Sequence, residues 1–191
     1  MTDYTDSRLA FTEAAQRLRD GEVIAYATEA VWGLGADPLN ESAVLRLLAL
    51  KQRPPEKGLI LAAGTRQQVE PFLALLNNAQ RERVLATWPG PYTWLFPRPD
   101  VIPDWICGTH QSVAVRWSAH PTVMQLCQAF GGLVVSTSAN PAGVEAARSA
   151  GEVRHFFGDD FPLVAGELGS ARMPTQIGDA QTGAILRPSS P

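Results

Sequence analysis

Four short apolar runs set the limits on this fold. EVIAYA (22–27), GLILAA (58–63), SVAVR (112–116) and the opening of LVVSTSAN (133–140) are each too short for a helix and apolar enough to be buried as strands. Between them lie stretches at helical spacing. Ala10, Phe11, Ala14, Ala15 and Leu18 predict a helix over 7–19, closed by Gly21. Asn40 reads as the N-cap of a helix over 41–52, whose Ala43, Val44, Leu47, Leu48 and Leu50 give an apolar stripe. Thr65 and Gln68 make a capping box for a helix that must tolerate Pro71, and a polar helix follows near 78–87. His120-Pro121 opens another helix, ended by Gly131-Gly132, and Ser149 with Glu152 caps one that ends at Gly158.

Strands and helices thus alternate over most of the 191 residues, with no linker, repeat or low-complexity segment between them. That predicts one α/β domain with a mixed sheet. TEAVWGLGADP (28–38) reads as a loop whose glycines let backbone amides approach a ligand. WPGPYTWLFPRP (88–99) encloses a strand between prolines, which predicts a sheet edge or a sharp entry. The last 30 residues read as short strands joined by turns, with GDAQTG before AILRP.

Composition removes several classes of function. A formal charge of −3 excludes binding polyanions by overall charge, so any nucleic-acid contact must use a local basic patch. Cys107 and Cys127 lack metal-ligand spacing and read as reduced thiols. MTDYTDSRLAF has neither the basic nor the apolar segment of a leader, and no run approaches the ~18 apolar residues of a membrane span. The expectation is a soluble, cytoplasmic protein with no membrane role.

Ligands of open α/β sheets collect where strands end. Three such exits are rich in polar groups: YATEAVWGLG with Thr28 and Glu29, LKQRPPEKGL with Lys51, Arg53 and Lys57, and VVSTSAN with Ser136, Thr137, Ser138 and Asn140. Cations and hydroxyls of this kind suit phosphate or carboxylate oxygens. Each exit has a plainer explanation too. A helix dipole accounts for Lys51 and Arg53 equally well, though not for Lys57 beyond the prolines, and small polar residues after a strand often cap the next helix. Arg116, at the end of an apolar strand, needs an anionic partner, which a protein carboxylate or a substrate would supply. No phosphate loop, nucleophile elbow or metal-binding histidine pattern occurs, and GLGADP lacks the third glycine of a dinucleotide fingerprint.

These motifs together resemble a known family. TEAVWGLGAD resembles the P-T-E-T-V-Y-G-L-G opening of the YrdC-like, TsaC-type threonylcarbamoyl-AMP synthases, and LKQRPPEKGL resembles their K-x-R-P element. WPGPYTWLF, SVAVR followed by HP, STSAN and AILRP then occur in the family's order, so the match spans about 9–188. The resemblance implies a single domain over 9–188, with a twisted mixed sheet and flanking helices around a concave, positively charged cavity. It implies a nucleotidyltransferase that joins L-threonine, bicarbonate and ATP into threonylcarbamoyl-adenylate and pyrophosphate, with Mg²⁺ carried by the nucleotide and no protein metal site. Partner proteins would then pass the threonylcarbamoyl group to tRNA.

Carried over by motif, Lys51 and Arg53 are the expected catalytic phosphate ligands. Lys57, Ser138, Asn140 and Arg187 are expected at the nucleotide, and Thr28, Arg116 and Thr137 at threonine or its carbamate. Ala27 stands for the family's proline, and Trp32 for its tyrosine. LILAAG lacks the histidine that some relatives carry at the threonine site, and no general base is evident. The main rival is a double-stranded RNA or tRNA-binding module using the same cationic cavity. A carbamoyl-transfer domain of hydrogenase-maturation type is disfavoured by the short chain and missing zinc-finger cysteines.

Overall fold

The four apolar runs all become strands. In the computed structural model, which describes residues 8–171 and 175–188, the chain begins with α1 (Phe11–Arg19), β1 (Ile24–Ala27), β2 (Trp32–Gly35) and α2 (Glu41–Lys51). After a 3-10 turn (Pro55–Lys57) come β3 (Ile60–Ala63), α3 (Arg66–Leu73), α4 (Asn78–Leu85), β4 (Tyr92–Pro97) and α5 (Asp104–Cys107). The remainder is β5 (Ser112–Trp117), α6 (Pro121–Phe130), β6 (Val134–Ser138), α7 (Ala150–Phe157), β7 (Gln176–Asp179) and β8 (Ile185–Arg187). The described strands form one eight-stranded sheet in the order β1-β2-β6-β3-β5-β4-β7-β8. The β3–β5 and β4–β7 pairs are parallel and the rest antiparallel, so the sheet is mixed, as the element order predicts.

Helix ends follow local chemistry. Asn40 Oδ1 accepts from the Ala43 N–H at 3.1 Å, and the boxes Thr65/Gln68 and Ser149/Glu152 are both formed. A further box, Asn77 with Gln80, opens α4. At the end of α2, Gln52 adopts the left-handed conformation (φ 51°), and the Arg53 N–H closes back on Leu48 O at 3.0 Å. That reversal swings Arg53 away from the helix axis, which matters below.

Several expectations need correction. TEAVWGLGADP is not a loop throughout, because Trp32–Gly35 is a strand paired to β1 and β6. Glycine masks the period-two signal, and it is needed there: a Cβ on Gly35 would lie 2.8 Å from the Tyr26 ring and 3.0 Å from Val134. β4 is not an edge, since it lies between β5 and β7; Pro89 and Pro91 precede it, and Pro97 is its last residue. The helix expected over 7–19 starts at Phe11, because Leu9 instead bridges to Val164; residue 7 lies outside the described residues. The short helix α5 carries no sequence signal of its own.

Alternate strand residues sort into two cores. Ala25, Ala27, Leu34, Leu61 and Val135 face a layer built with α2, α3 and α4. Ile24, Tyr26, Ala62 and Val134 face the other layer, with Leu18 of α1 and Val123, Leu126 and Cys127 of α6. Burial on both faces explains why β1 reads as an unbroken apolar run. The Cys127 thiol donates to Ala62 O at 3.4 Å, joining α6 to the sheet. Along the second face the side chains then change character. Continuing in register from Tyr26, Val134 and Ala62 come Thr28, Ser136, Ser138 and Arg116. The site lies there.

Candidate active site

A cavity of about 280 Å³ opens at the polar end of this face. Thr28 and Glu29 enter from the end of β1, Ser136, Thr137 and Ser138 from β6, Arg116 from β5, Arg53 from beyond α2, and Thr175 and Arg187 from the β7–β8 region. Three guanidiniums and one carboxylate therefore share a hydroxyl-lined space. Their mutual nearness has an electrostatic signature: burial first, then Arg116 and Arg53, hold Arg187 below its ordinary pKa. Burial does the same to Arg53.

Each arginine is anchored by part of its fork. Arg116 donates from Nη2 to Ser136 Oγ at 3.1 Å, Arg53 from Nη2 to Gly58 O at 2.8 Å, and Arg187 from Nη2 to Thr175 O at 2.8 Å. The Nε groups of Arg53 and Arg116 are buried without a hydrogen-bond partner. Buried donors of this kind are uncommon and await an acceptor. The Arg116 counter-ion is a protein carboxylate, with Glu29 Oε2 lying 3.6 Å from Nη1. Burial alone would raise the Glu29 carboxyl, but Arg116 and a hydrogen bond from Ser118 outweigh it and hold it below the usual carboxylate range.

Six of the nine residues named from sequence border the cavity: Thr28, Arg53, Arg116, Thr137, Ser138 and Arg187. Thr28 spends its hydroxyl on Val31 O at 2.6 Å, fixing the turn after β1. Lys51 stands behind the wall. Its buried ammonium donates to Ser138 O, to Asn140 O at 3.0 Å and to Asn140 Oδ1 at 3.2 Å, tying α2 to the end of β6. Burial, then Arg53, lowers it to about 8. Asn140 also accepts from Ser138 Oγ at 2.6 Å and donates to Val144 O at 2.7 Å, so Lys51, Ser138 and Asn140 form one polar knot. Lys57 is exposed on the 3-10 turn.

Glu29, Ser118 and His120 are the residues that sequence reasoning left without a role. The need of Arg116 for an anion, beside a carboxylate at a buried strand's end, was the available signal for Glu29. Ser118 and His120 carried none, because only the fold brings the segment after β5 against the turn after β1. Among the described residues no group of three or more His, Cys, Asp or Glu side chains is placed to hold a metal, and no helix is long and apolar enough to cross a membrane.

Comparison with known proteins bears on this arrangement. A family model described as "Telomere recombination" (Sua5/YciO/YrdC) matches residues 16–189. A threonylcarbamoyl-AMP synthase of Cellvibrio japonicus is 54% identical over 177 residues, covering 92% of this chain and 94% of the relative. The enzyme of the same name from Escherichia coli O1:K1 is 49% identical over 180 residues, covering 93% and 95%. Among solved structures, P. abyssi Sua5 complexed with L-threonine superposes with a TM-score of 0.78 at 31% identity, over 88% of this chain and 50% of that one. The chain thus spans about half the length of that structure.

Proposed function

The chain belongs to the Sua5/YciO/YrdC family, and on that premise we propose that it is a threonylcarbamoyl-AMP synthase, an enzyme that makes L-threonylcarbamoyladenylate from L-threonine, bicarbonate and ATP. The observation that carries this reading is the convergence of Arg53, Arg116 and Arg187 on one hydroxyl-lined cavity from three distant parts of the chain.

The chemistry is nucleotidyl transfer. A carbamate oxygen of N-carboxylated threonine attacks the α-phosphorus of ATP; the bond from that phosphorus to the bridging oxygen breaks, and pyrophosphate leaves with the electron pair. Two unit charges ~4 Å apart repel by about 4 kcal/mol at an intermediate effective dielectric. Fixed guanidiniums offset that repulsion and stabilise charge building on the leaving group. Arg53 and Arg187 suit the triphosphate, which arrives with its Mg²⁺ as substrate. Ser138 lends its hydroxyl proton to Asn140 Oδ1 and would donate to a phosphate oxygen by turning that proton into the cavity, so Lys51 and Asn140 act in this reading by shaping that turn. Arg116 takes the threonine carboxylate as a bidentate partner, with Thr28 and Thr137 beside it. Lys57, exposed on the 3-10 turn, serves by long-range attraction. The product's threonylcarbamoyl group then passes to tRNA through partner proteins.

An RNA-binding module would present its cations over an extended surface able to follow a phosphate backbone. Here the arginines are drawn into a single small cavity, which favours the enzyme. Pure protein given ATP, bicarbonate and L-threonine should release pyrophosphate. Release no greater than in a threonine-free control, from demonstrably folded protein, would reject the enzymatic reading.

A further inference from the structure

No step of the proposed reaction uses α5, yet this short helix is locked against the turn that orients Arg53. Arg53 Nη2 donates to Gly58 O at 2.8 Å and to Lys57 O at 3.4 Å, so the guanidinium points wherever that turn points. The turn in turn is held from α5 and the two residues after it. Leu59 N–H donates to Ile106 O at 2.8 Å, and a Cβ on Gly58 would lie 3.0 Å from Cys107 O. Glu56 O accepts twice from Thr109, from its N–H and its Oγ1, each at 3.4 Å. Between these contacts Gly108 packs directly on the turn: a Cβ there would stand 2.5 Å from Glu56 O and 2.6 Å from Pro55 O. Its φ of 60° with ψ of −129° is also a conformation that side chains rarely adopt.

The helix is pinned at its far side too, since Trp105 Nε1 donates to Pro38 O at 3.0 Å. α5 therefore bridges the two ends of α2, from Pro38 before it to Gly58 beyond it. Resting on the reading of Arg53 as a triphosphate ligand, we infer that α5 is a positioning element for the nucleotide, with Gly108 as its contact point. The bare backbone at Gly108 sets how closely the 55–58 turn approaches α5, and so the direction of the Arg53 guanidinium. A side chain at this position pushes the turn away and carries Arg53 off the phosphates. Arg116 is anchored separately, on Ser136, and stays where it is. Misplacing a group that orients substrate by about 1 Å costs up to about 100-fold.

The test is calorimetric titration with ATP and, separately, with L-threonine, of wild type, Gly108→Ala, Arg53→Ala and the double variant. Gly108→Ala should bind ATP roughly tenfold more weakly, with threonine affinity within about twofold. In the Arg53→Ala background the same change should cost less than about twofold further, because the two residues act as one unit. A merely structural glycine would give losses that add. Gly35→Ala, crowded at the Tyr26 contact, is the control for lost stability and should keep ATP affinity within about twofold. Hydrogen exchange of the unaltered protein carries the test should Gly108→Ala fail to fold. There ATP should slow the Leu59 and Thr109 amides, and threonine alone should not. Unchanged ATP affinity in Gly108→Ala, additive losses in the double variant, an equal ATP loss in Gly35→Ala, or amides blind to ATP would each overturn this inference alone. ATP binding indifferent to Arg53→Ala overturns the phosphate assignment as well. A wild type that binds no ATP overturns the functional reading itself.

Discussion

At the scale of single residues, the cavity divides its cations into two kinds. Arg53 has one anchored nitrogen and a buried, unpartnered Nε, so it is a donor in search of an acceptor. Arg53→Ala should weaken ATP binding roughly 10- to 100-fold while threonine binding is retained. Arg53→Lys should recover only part, because an ammonium lacks the planar fork. Calorimetry with each ligand decides; unchanged ATP affinity would remove Arg53 from the phosphate site. Lys51 is already saturated with acceptors, and its charge holds the Ser138–Asn140 turn. Its pKa in the fold is about 8 against an ordinary 10.5, so between those values the unfolded chain holds the extra proton. The contribution of this lysine to stability therefore rises with pH in that window. Activity should do the opposite. Loss of one donor loosens the knot, so turnover should fall as pH climbs past about 8 while the melting temperature does not fall on account of Lys51. A pH–rate profile that stays flat to well above that value would show that the turn does not depend on the ammonium.

At the scale of elements, β2 shows why glycine can be structural where it looks functional. Gly33 borders the cavity, but Gly35 exists to admit the Tyr26 ring and Val134. Gly35→Ala should overpack that contact and destabilise the protein by about 1–3 kcal/mol. At roughly 2–4 °C per kcal/mol for a chain of this size, thermal melting would register it. An unchanged melting point would mean that Tyr26 can shift aside. The same strand marks how far the sequence was legible. Helices were readable because caps are local: Asn40, Thr65 and Ser149 each act within three residues. Strands burying both faces were readable as apolar runs. β2 was not, because its two glycines have no side chain to reveal a period, and the place of β4 stayed open between an edge and a sharp entry because proline at strand ends resembles proline at a sheet edge. In the site, Arg116, Ser138 and Arg53 announced themselves as polar groups at apolar exits. Whether a cation faces the cavity, as Arg53 does, or braces its wall, as Lys51 does, depends on the left-handed turn at Gln52 and on the docking of β6, neither of which composition expresses.

At the scale of the whole molecule, the site is assembled from residues 28 to 187, with contributions from both halves of the sheet. Its parts are not equally secure. β6, β3 and β5 lie in the middle of the sheet, whereas β8 pairs only with β7 and all three of its residues are exposed. Hydrogen exchange should therefore be slowest in the central strands and fastest in β8. Because Arg187 rides on β8, saturating ATP should slow exchange there and threonine alone should not. Exchange in β8 that ignores ATP would take Arg187 out of the nucleotide site. The second core offers an independent gauge of larger openings. Cys127 is sealed between α6 and β3, and burial pushes its thiol up to about 12, so the reactive thiolate is scarce at neutral pH. An alkylating reagent can reach that sulfur only when the helix lifts from the sheet. The rate of modification at this one native side chain would therefore time how often the floor beside the substrate pocket comes apart, without any foreign label being introduced.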